Sequence, residues 1–428
     1  MATVRMTKEE LIRCIENFDE FGATTHFEKM KWSANGRSGT TTKAFNEYWT
    51  SGQRQAHSLH EISYRACFKP QLPGFFISRL TQPGDAVYDP FMGRGTTLLE
   101  AFLFGRKPLG NDINPLSRAL LEPRLDPPTM EEITERVESL DLGAADEKYP
   151  ELEVFFHAET LTQIIALKEH FLRKQIAEGL DRIDRWIRMV ALNRLTGHST
   201  GFFSVYSLPP NQAVSIEAQR KINNSRNQTP EPKAIKPRII RRSKALLKDW
   251  KDPRLEHRSV DLGFTLTNED ARHATGIPAD TAQLVVTSPP FLDVVNYHSD
   301  NWLRCWFLDI DSSCVKLSQI RQPADWQALM TEVLRDVKRI LKPGGYVAFE
   351  VGEVKAGKIL LEDLALPAGV DAGFDPVIVL INVQAFTKTA NTWGVTNQRK
   401  GTNTNRIVVF QSPEAGKSHR SVNQEAVR

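Results

Sequence analysis

Two short strings in this 428-residue chain carry residue types that can do chemistry together. The first is Asp89-Pro90-Phe91-Met92-Gly93-Arg94-Gly95-Thr96-Thr97. Its two glycines allow a tight turn and let a ligand approach the main chain with no Cβ in the way. Asp112 ends the next apolar segment, where a carboxylate can accept both ribose hydroxyls of a nucleoside. The second string is Thr287-Ser288-Pro289-Pro290-Phe291, directly after the apolar run Ala282–Thr287. Two prolines fix their own φ at about −65° and hold Ser288 extended. Such a loop presents a hydroxyl, a main-chain carbonyl and an aromatic ring in fixed directions. Each string alone also fits a plain turn at a strand end. Found in one chain with Asp112, they point to one site.

The elements around the strings are legible from periodicity. Residues 85–91 read as a strand, 96–104 as a helix closed by Gly105, and 107–112 as a second strand before a helix from Asn114. Strand, glycine loop, helix, strand is the pattern of a doubly wound parallel sheet. The rhythm then stops between about 122 and 256, where helices are expected at 128–140, 158–175 and 180–195. It resumes with strands at 263–266 and 282–287, a helix at 325–341 ending at the Lys-Pro-Gly-Gly turn, and a strand at 346–351. A closing hairpin pair is expected at 376–386 and 406–411 around a polar loop. Upstream, 7–18 reads as a helix capped by a Thr, and 33–42 as a loop. The expected organisation is an extension (1–56), a catalytic α/β domain (57–121 and 257–411) with a mostly helical insertion (122–256), and a disordered tail (412–428).

The first string resembles the S-adenosylmethionine loop of the amino-group DNA methyltransferases, which methylate cytosine N4 or adenine N6. The resemblance implies a Rossmann-like class I methyltransferase fold with a seven-stranded sheet. It implies a cofactor site on Asp89, Pro90, Phe91, Gly93, Gly95, Thr96 and Thr97, with Asp112 and Asn114 after the second strand. Phe91 would pack on the cofactor, and the free N–H groups at the start of the Thr96 helix suit its carboxylate. The block from His57 to Pro73 resembles the family segment that closes over the methionine end, with His57, Ser58, Lys69 and Pro70 at matching positions. Asp270, just before the Ala282 strand, matches the residue that binds the adenine amino group. Ser288, Pro289, Pro290 and Phe291 match the catalytic tetrapeptide. There, acceptors aimed at an exocyclic amino group favour a pyramidal nitrogen, and Phe291 stacks on the flipped target base. In the family, Ser at the first position usually accompanies cytosine N4, so cytosine is the expected target and adenine N6 the alternative. The cofactor loop precedes the catalytic tetrapeptide here, the reverse of many cytosine-N4 enzymes, with the insertion lying between the two. A relative that keeps the fold and binds nucleic acid without transfer is a third reading, and an RNA substrate a fourth.

Composition limits the alternatives. Hydrophobic residues are 40% and charged residues 25%, ordinary for a globular chain. The four cysteines are scattered, so neither a disulfide framework nor a cysteine zinc site is expected. None follows a proline, which argues against cytosine C5 methylation through a Pro-Cys thiolate. No metal constellation and no membrane-spanning run stand out, and an intracellular location (cytoplasm or nucleoid) is expected. Net charge is only +3, so a nucleic-acid surface must be local. Residues 220–258 hold thirteen Lys/Arg against four Asp/Glu. Arg220, Lys221, Arg238, Arg241 and Arg242 are the expected contacts to double-stranded DNA, with Asn223, Asn224, Asn227 and Gln228 able to read base edges. The aromatic loop Phe202–Tyr206 is the alternative DNA surface. The resemblance further implies a short target sequence, in a restriction-modification or epigenetic setting, with a cognate restriction endonuclease as a possible partner.

Overall fold

The computed structural model describes residues 5–34, 36–50, 56–64, 67–208, 213–250, 262–292, 297–311, 320, 322–354, 358–383 and 404–414. The polar loop between the closing strands, the end of the basic stretch (251–261) and the tail from 415 lie outside the described residues.

The strands are β1 (His26–Ala34), β2 (Arg37–Asn46), β3 (Ala86–Asp89), β4 (Lys107–Asn111), β5 (Thr265–Thr267), β6 (Ala282–Thr287), β7 (Leu341–Val351), β8 (Glu353–Val354), β9 (Ile359–Leu360), β10 (Asp375–Val383) and β11 (Thr404–Gln411). Nine form one sheet in the order β1-β2-β10-β11-β7-β6-β3-β4-β5, and β8 and β9 make a small separate hairpin. From β7 through β5 neighbours are parallel, while β11 runs antiparallel between β7 and β10. The chain moves outward from β3 to β5 and returns beside β3 as β6. The carboxyl ends of β3 and β6 therefore flank the switch point, where open α/β sheets bind ligands.

Seven strands match the expected sheet, and the structure adds two. Residues 33–42, expected as a loop, instead belong to a hairpin whose second strand pairs in parallel with β10. The physical reason is exposure. The edge strand β1 buries only Met30 and Ala34, so it has little apolar alternation to read.

The helices are α1 (Lys8–Glu16), α2 (Gln71–Leu80), α3 (Thr96–Leu103), α4 (Pro115–Leu125), α5 (Met130–Ser139), α6 (Ala158–Ala177), α7 (Arg182–Leu192), α8 (Ile216–Arg226), α9 (Ile235–Leu246), α10 (Tyr297–Leu308), α11 (Pro323–Ile340) and α12 (Glu362–Asp371). Thr7 and Thr129 close capping boxes with Glu10 and Glu132, which explains the sharp starts of α1 and α5. Helices α7 and α9 share a core with the site half of the sheet: Trp186, Ile187 and Ile239 pack in one cluster with Leu98, Leu120 and Leu121. That shared core fixes α7 and α9 against the helices that follow β3 and β4. Among the described residues, no helix is long and apolar enough to cross a membrane.

Candidate active site

The site is assembled at the ends of β3 and β6. Asp89 is 2% exposed, and its Oδ1 accepts from the Thr287 hydroxyl at 2.6 Å and from the Phe91 N–H at 3.1 Å. One buried carboxylate thus links the glycine loop to the loop that begins at Ser288. Burial pushes the Asp89 carboxyl up to about 7, and its hydrogen bonds from Thr287, Phe91 and Thr97 oppose that rise. Thr97 braces the same junction, donating to the Val286 carbonyl at 3.0 Å. Thr96 accepts from Arg94 Nε at 3.1 Å. Both threonines are buried and act as braces, while α3 starts without a side-chain cap.

Glycine is required in this loop for two separate reasons. Gly93 has φ +49° and the Tyr64 ring beside it, and Gly95 has φ +79° with Leu121 packed where a Cβ would go. Gly93 N–H donates to Asp112 Oδ2 at 2.8 Å, and Asn114 N–H donates to Asp112 Oδ1 at 2.9 Å. Burial raises the Asp112 pKa, and the hydrogen bonds from Asn114, Gly93 and Ser117 oppose that rise. Asn114 caps α4 by accepting from Leu116 N–H at 3.0 Å. Asp270 sits on the loop after β5 and is held by Arg272, with a contact of 2.6 Å that lowers its pKa. Buried Asn111, which sequence reading missed, clamps that loop: its amide donates to the Glu269 carbonyl and accepts from the Glu269 N–H.

The segment from His57 to Tyr64 lies over the glycine loop. His57 caps the turn that follows it by accepting from Leu59 N–H, and the Ser58 hydroxyl donates to the Leu246 carbonyl at the end of α9. His60 contacts Glu100 at 2.7 Å, and burial beside Arg94 and Arg124 holds it well below the usual histidine range. Lys69 is half-buried, which lowers its pKa. Pro70 precedes α2 as its cap residue. Two arginines that sequence reading missed hold the segment down. Arg94 donates to the Ile62 carbonyl at 2.9 Å, and fully buried Arg124 donates to the carbonyls of Leu59 and Arg94. In sequence they read as ordinary surface charges, because their partners are carbonyls brought close only by folding.

At the second loop, Ser288 hydrogen-bonds Glu350, a buried carboxyl near the end of β7. Asn405 Nδ2 donates to the same group at 3.1 Å. Burial pushes Glu350 up to about 7 despite these two bonds. Register explains the meeting: Thr287 pairs with Phe349 in the parallel β6–β7 ladder, so the next residues on each strand are neighbours. Pro289 is buried, and the Pro290 carbonyl accepts from Trp326 Nε1 at 2.9 Å, fixing the end of the loop. The half-buried Phe291 ring lies against Gly352, where a Cβ would come within 2.9 Å of Cε2. Gly352→Ala is therefore expected to displace that ring. Base–aromatic stacking contributes about 1–3 kcal/mol, so a partial loss should slow single-turnover transfer about fivefold. An unchanged rate would show that Phe291 faces no base.

The basic residues divide between two helices: Arg220 and Lys221 on α8, Arg238, Arg241 and Arg242 on α9. Asn223 accepts from Gln219 and Gln228 at 2.8 Å each and donates to the Val154 carbonyl. Asn227 ends α8 in the left-handed conformation at φ 48°. The amides of Asn223 and Gln228, expected to read bases, are thus engaged inside the protein. Phe202 and Phe203 are 5% and 1% exposed, so these two rings of the aromatic loop lie in the interior, while the half-buried Tyr206 ring carries Arg226.

A family model described as DNA methylase matches residues 16–119. The chain is 27% identical over 184 residues to the Type II methyltransferase M.MvaI of Kocuria varians, covering 42% of this chain and 37% of that protein. It is 38% identical over 72 residues to M.MjaII of Methanocaldococcus jannaschii, covering 17% and 13%. It is 36% identical over 86 residues to M.BsoBI of Geobacillus stearothermophilus, covering 19% and 17%. The chain thus spans well under half the length of these relatives. Solved structures similar to it include an rRNA methyltransferase of Streptomyces viridochromogenes (11% identity, TM-score 0.35, covering 85% of this chain and 93% of that one). Another is TrmN of Thermus thermophilus (13%, TM-score 0.32, covering 83% and 51%). The fold assignment stands on the strand order itself. Over the matched segments the chain is thus similar to DNA methylases and Type II methyltransferases.

Proposed function

We propose that this protein transfers a methyl group from S-adenosylmethionine to an exocyclic amino group in duplex DNA, with cytosine N4 as the target. The observation that carries the reading is the Thr287–Asp89 hydrogen bond of 2.6 Å, which couples the glycine loop to the Ser288–Phe291 loop. A cofactor with an amino-acid end and a ribose suits the first loop: an uncapped α3 N-terminus, a Gly93 backbone with no Cβ, and the Asp112 carboxylate held in place by the Gly93 and Asn114 N–H groups. Bound there, S-adenosylmethionine supplies an electrophilic methyl group on a sulfonium.

The chain's residues act on the base. Ser288 donates its own proton to Glu350, so its oxygen lone pairs are left to accept from the amino group. An acceptor so placed favours a pyramidal nitrogen with its lone pair free to attack. Phe291 provides the stacking face for a base taken out of the helix. Ser288 in the first position of the tetrapeptide supports cytosine over adenine. The insertion (122–256) holds the duplex with its arginines. The Type II naming of the relatives supports a short specific target and a partner endonuclease that cleaves the same sequence, inside the cell where that DNA lies.

Nucleoside mass spectrometry of plasmid DNA incubated with the protein and labelled cofactor tests the reading. N4-methylcytosine is expected. N6-methyladenine would move the target to adenine, and label in RNA alone would move it off DNA. No transfer, with cofactor binding intact, would leave a nucleic-acid-binding relative.

A further inference from the structure

Four arginines from three separated parts of the chain gather beside the loop 199–202. Arg194 follows α7, Arg241 and Arg242 lie on α9, and Arg304 lies on α10. Arg194 stacks on the Phe202 ring, 4.0 Å from its centroid, and its Nε donates to the Asn193 carbonyl. Arg238, one turn before Arg241, donates to the Thr200 carbonyl at 3.2 Å and so ties α9 to the loop. The groups converge on the open face of Gly201. The place its Cβ would take is 3.6 Å from Arg241 Nη2, 3.7 Å from Arg194 Nη1 and 3.7 Å from Ser199 Oγ.

The neighbouring arginines already have partners. Arg242 pairs with Glu61 at 3.3 Å, and Arg304 donates to Asn301 Oδ1 and the Ser63 carbonyl. Among the described residues, neither Arg194 nor Arg241 has a carboxylate partner. Burial and the charges of Arg242, Arg241 and Arg304 push Arg194 down to about 9. Like charges held together this way favour an anion between them. Two guanidinium groups and a hydroxyl over a backbone without a Cβ match the oxygens of a phosphate. The position is also informative. Arg304 lies on the helix that follows the Ser288–Phe291 loop, and Glu61 and Ser63 belong to the segment over Gly93. The cluster therefore borders the proposed base-binding site.

We infer that Arg194, Arg241, Ser199 and Gly201 form a cradle for one phosphate of the DNA backbone at the rim of the site. The inference rests on the DNA reading above. One phosphate neutralised contributes about 0.9 to the slope of log affinity against log salt, and it positions the strand without reading bases.

The test is fluorescence anisotropy of a labelled duplex with the full chain across a KCl series. The double variant Arg194→Ala, Arg241→Ala should lower the slope by about 0.9, one phosphate's worth. Gly201→Asp should give the same loss with both arginines present, because its carboxylate occupies the cradle. Sequence preference and S-adenosylmethionine affinity should stay unchanged in both, which also reports that the fold is intact. Unchanged slopes in both variants overturn the cradle, as does a loss of about 1.8 in the double variant, which means two separate phosphates. A wild-type protein that binds no DNA at all overturns the parent reading and the cradle with it. Wild-type binding with unaltered variants overturns the cradle alone.

Discussion

Replacing Glu350 with glutamine is expected to slow methyl transfer about 10²-fold and to leave S-adenosylmethionine affinity unchanged. Glu350 is 7% exposed and accepts from Ser288 and Asn405. A glutamine oxygen can still accept from Ser288, so the loop geometry survives in the variant. In the proposed mechanism, what is lost is a group able to receive a proton as the amino nitrogen sheds one through Ser288. Burial has pushed Glu350 up to about 7, and only its ionised form can take that proton. The wild-type rate should therefore rise with pH through about 7 and level off above it. The glutamine variant should lack that limb. A variant with the wild-type rate and profile would exclude Glu350 from proton removal.

The same carboxyls act on stability in the opposite direction. Asp89 and Glu350 both have raised pKa values, so ionising them in the folded protein is costly. Their contribution is fully present below the ordinary carboxylate range and is lost as pH rises through about 7. The thermal midpoint should accordingly fall as pH rises through that window, and less steeply in Glu350→Gln. Unfolding scans across pH measure this directly. A catalytic optimum on the less stable side of the window is the expected compromise.

Asp112→Ala should weaken S-adenosylmethionine binding by at least about 10²-fold, because a hydrogen bond to a charged group contributes about 1.5–3 kcal/mol and two ribose hydroxyls lose theirs. The loop loses support as well, since Asp112 accepts from Gly93 and Asn114. Asp112→Asn should behave similarly. One end of its amide must face a main-chain N–H, donor against donor. Calorimetry gives the affinities, and an unaltered value for Asp112→Ala would place the ribose elsewhere. Read with the Glu350 variant, this separates cofactor binding from transfer. The two losses should not appear in the same parameter.

The local parts of this protein are written in neighbouring residues. Glycine loops, a proline-locked tetrapeptide and capped amphipathic helices are set by interactions among residues close in the chain. The strings Asp89–Thr97 and Ser288–Phe291, the Thr7 cap and the buried run of β6 were therefore readable without a fold. Pairing across the sheet was decided only in three dimensions. Glu350 reads as one polar residue in the strand Tyr346–Val351, and only the β6–β7 register brings it to Ser288. Arg94 and Arg124 look like solvated charges until folding delivers the carbonyls that bind them. The β1–β2 hairpin gave little apolar signal because its outer strand is mostly exposed, and its place comes from the free edge of β10. Arg194 and Arg241, forty-seven residues apart, converge at Gly201 because α7 and α9 pack on a common core. Local sterics and hydrogen bonding write their demands into neighbouring residues. Contacts between distant residues leave no such periodic trace, and tertiary packing alone selects them.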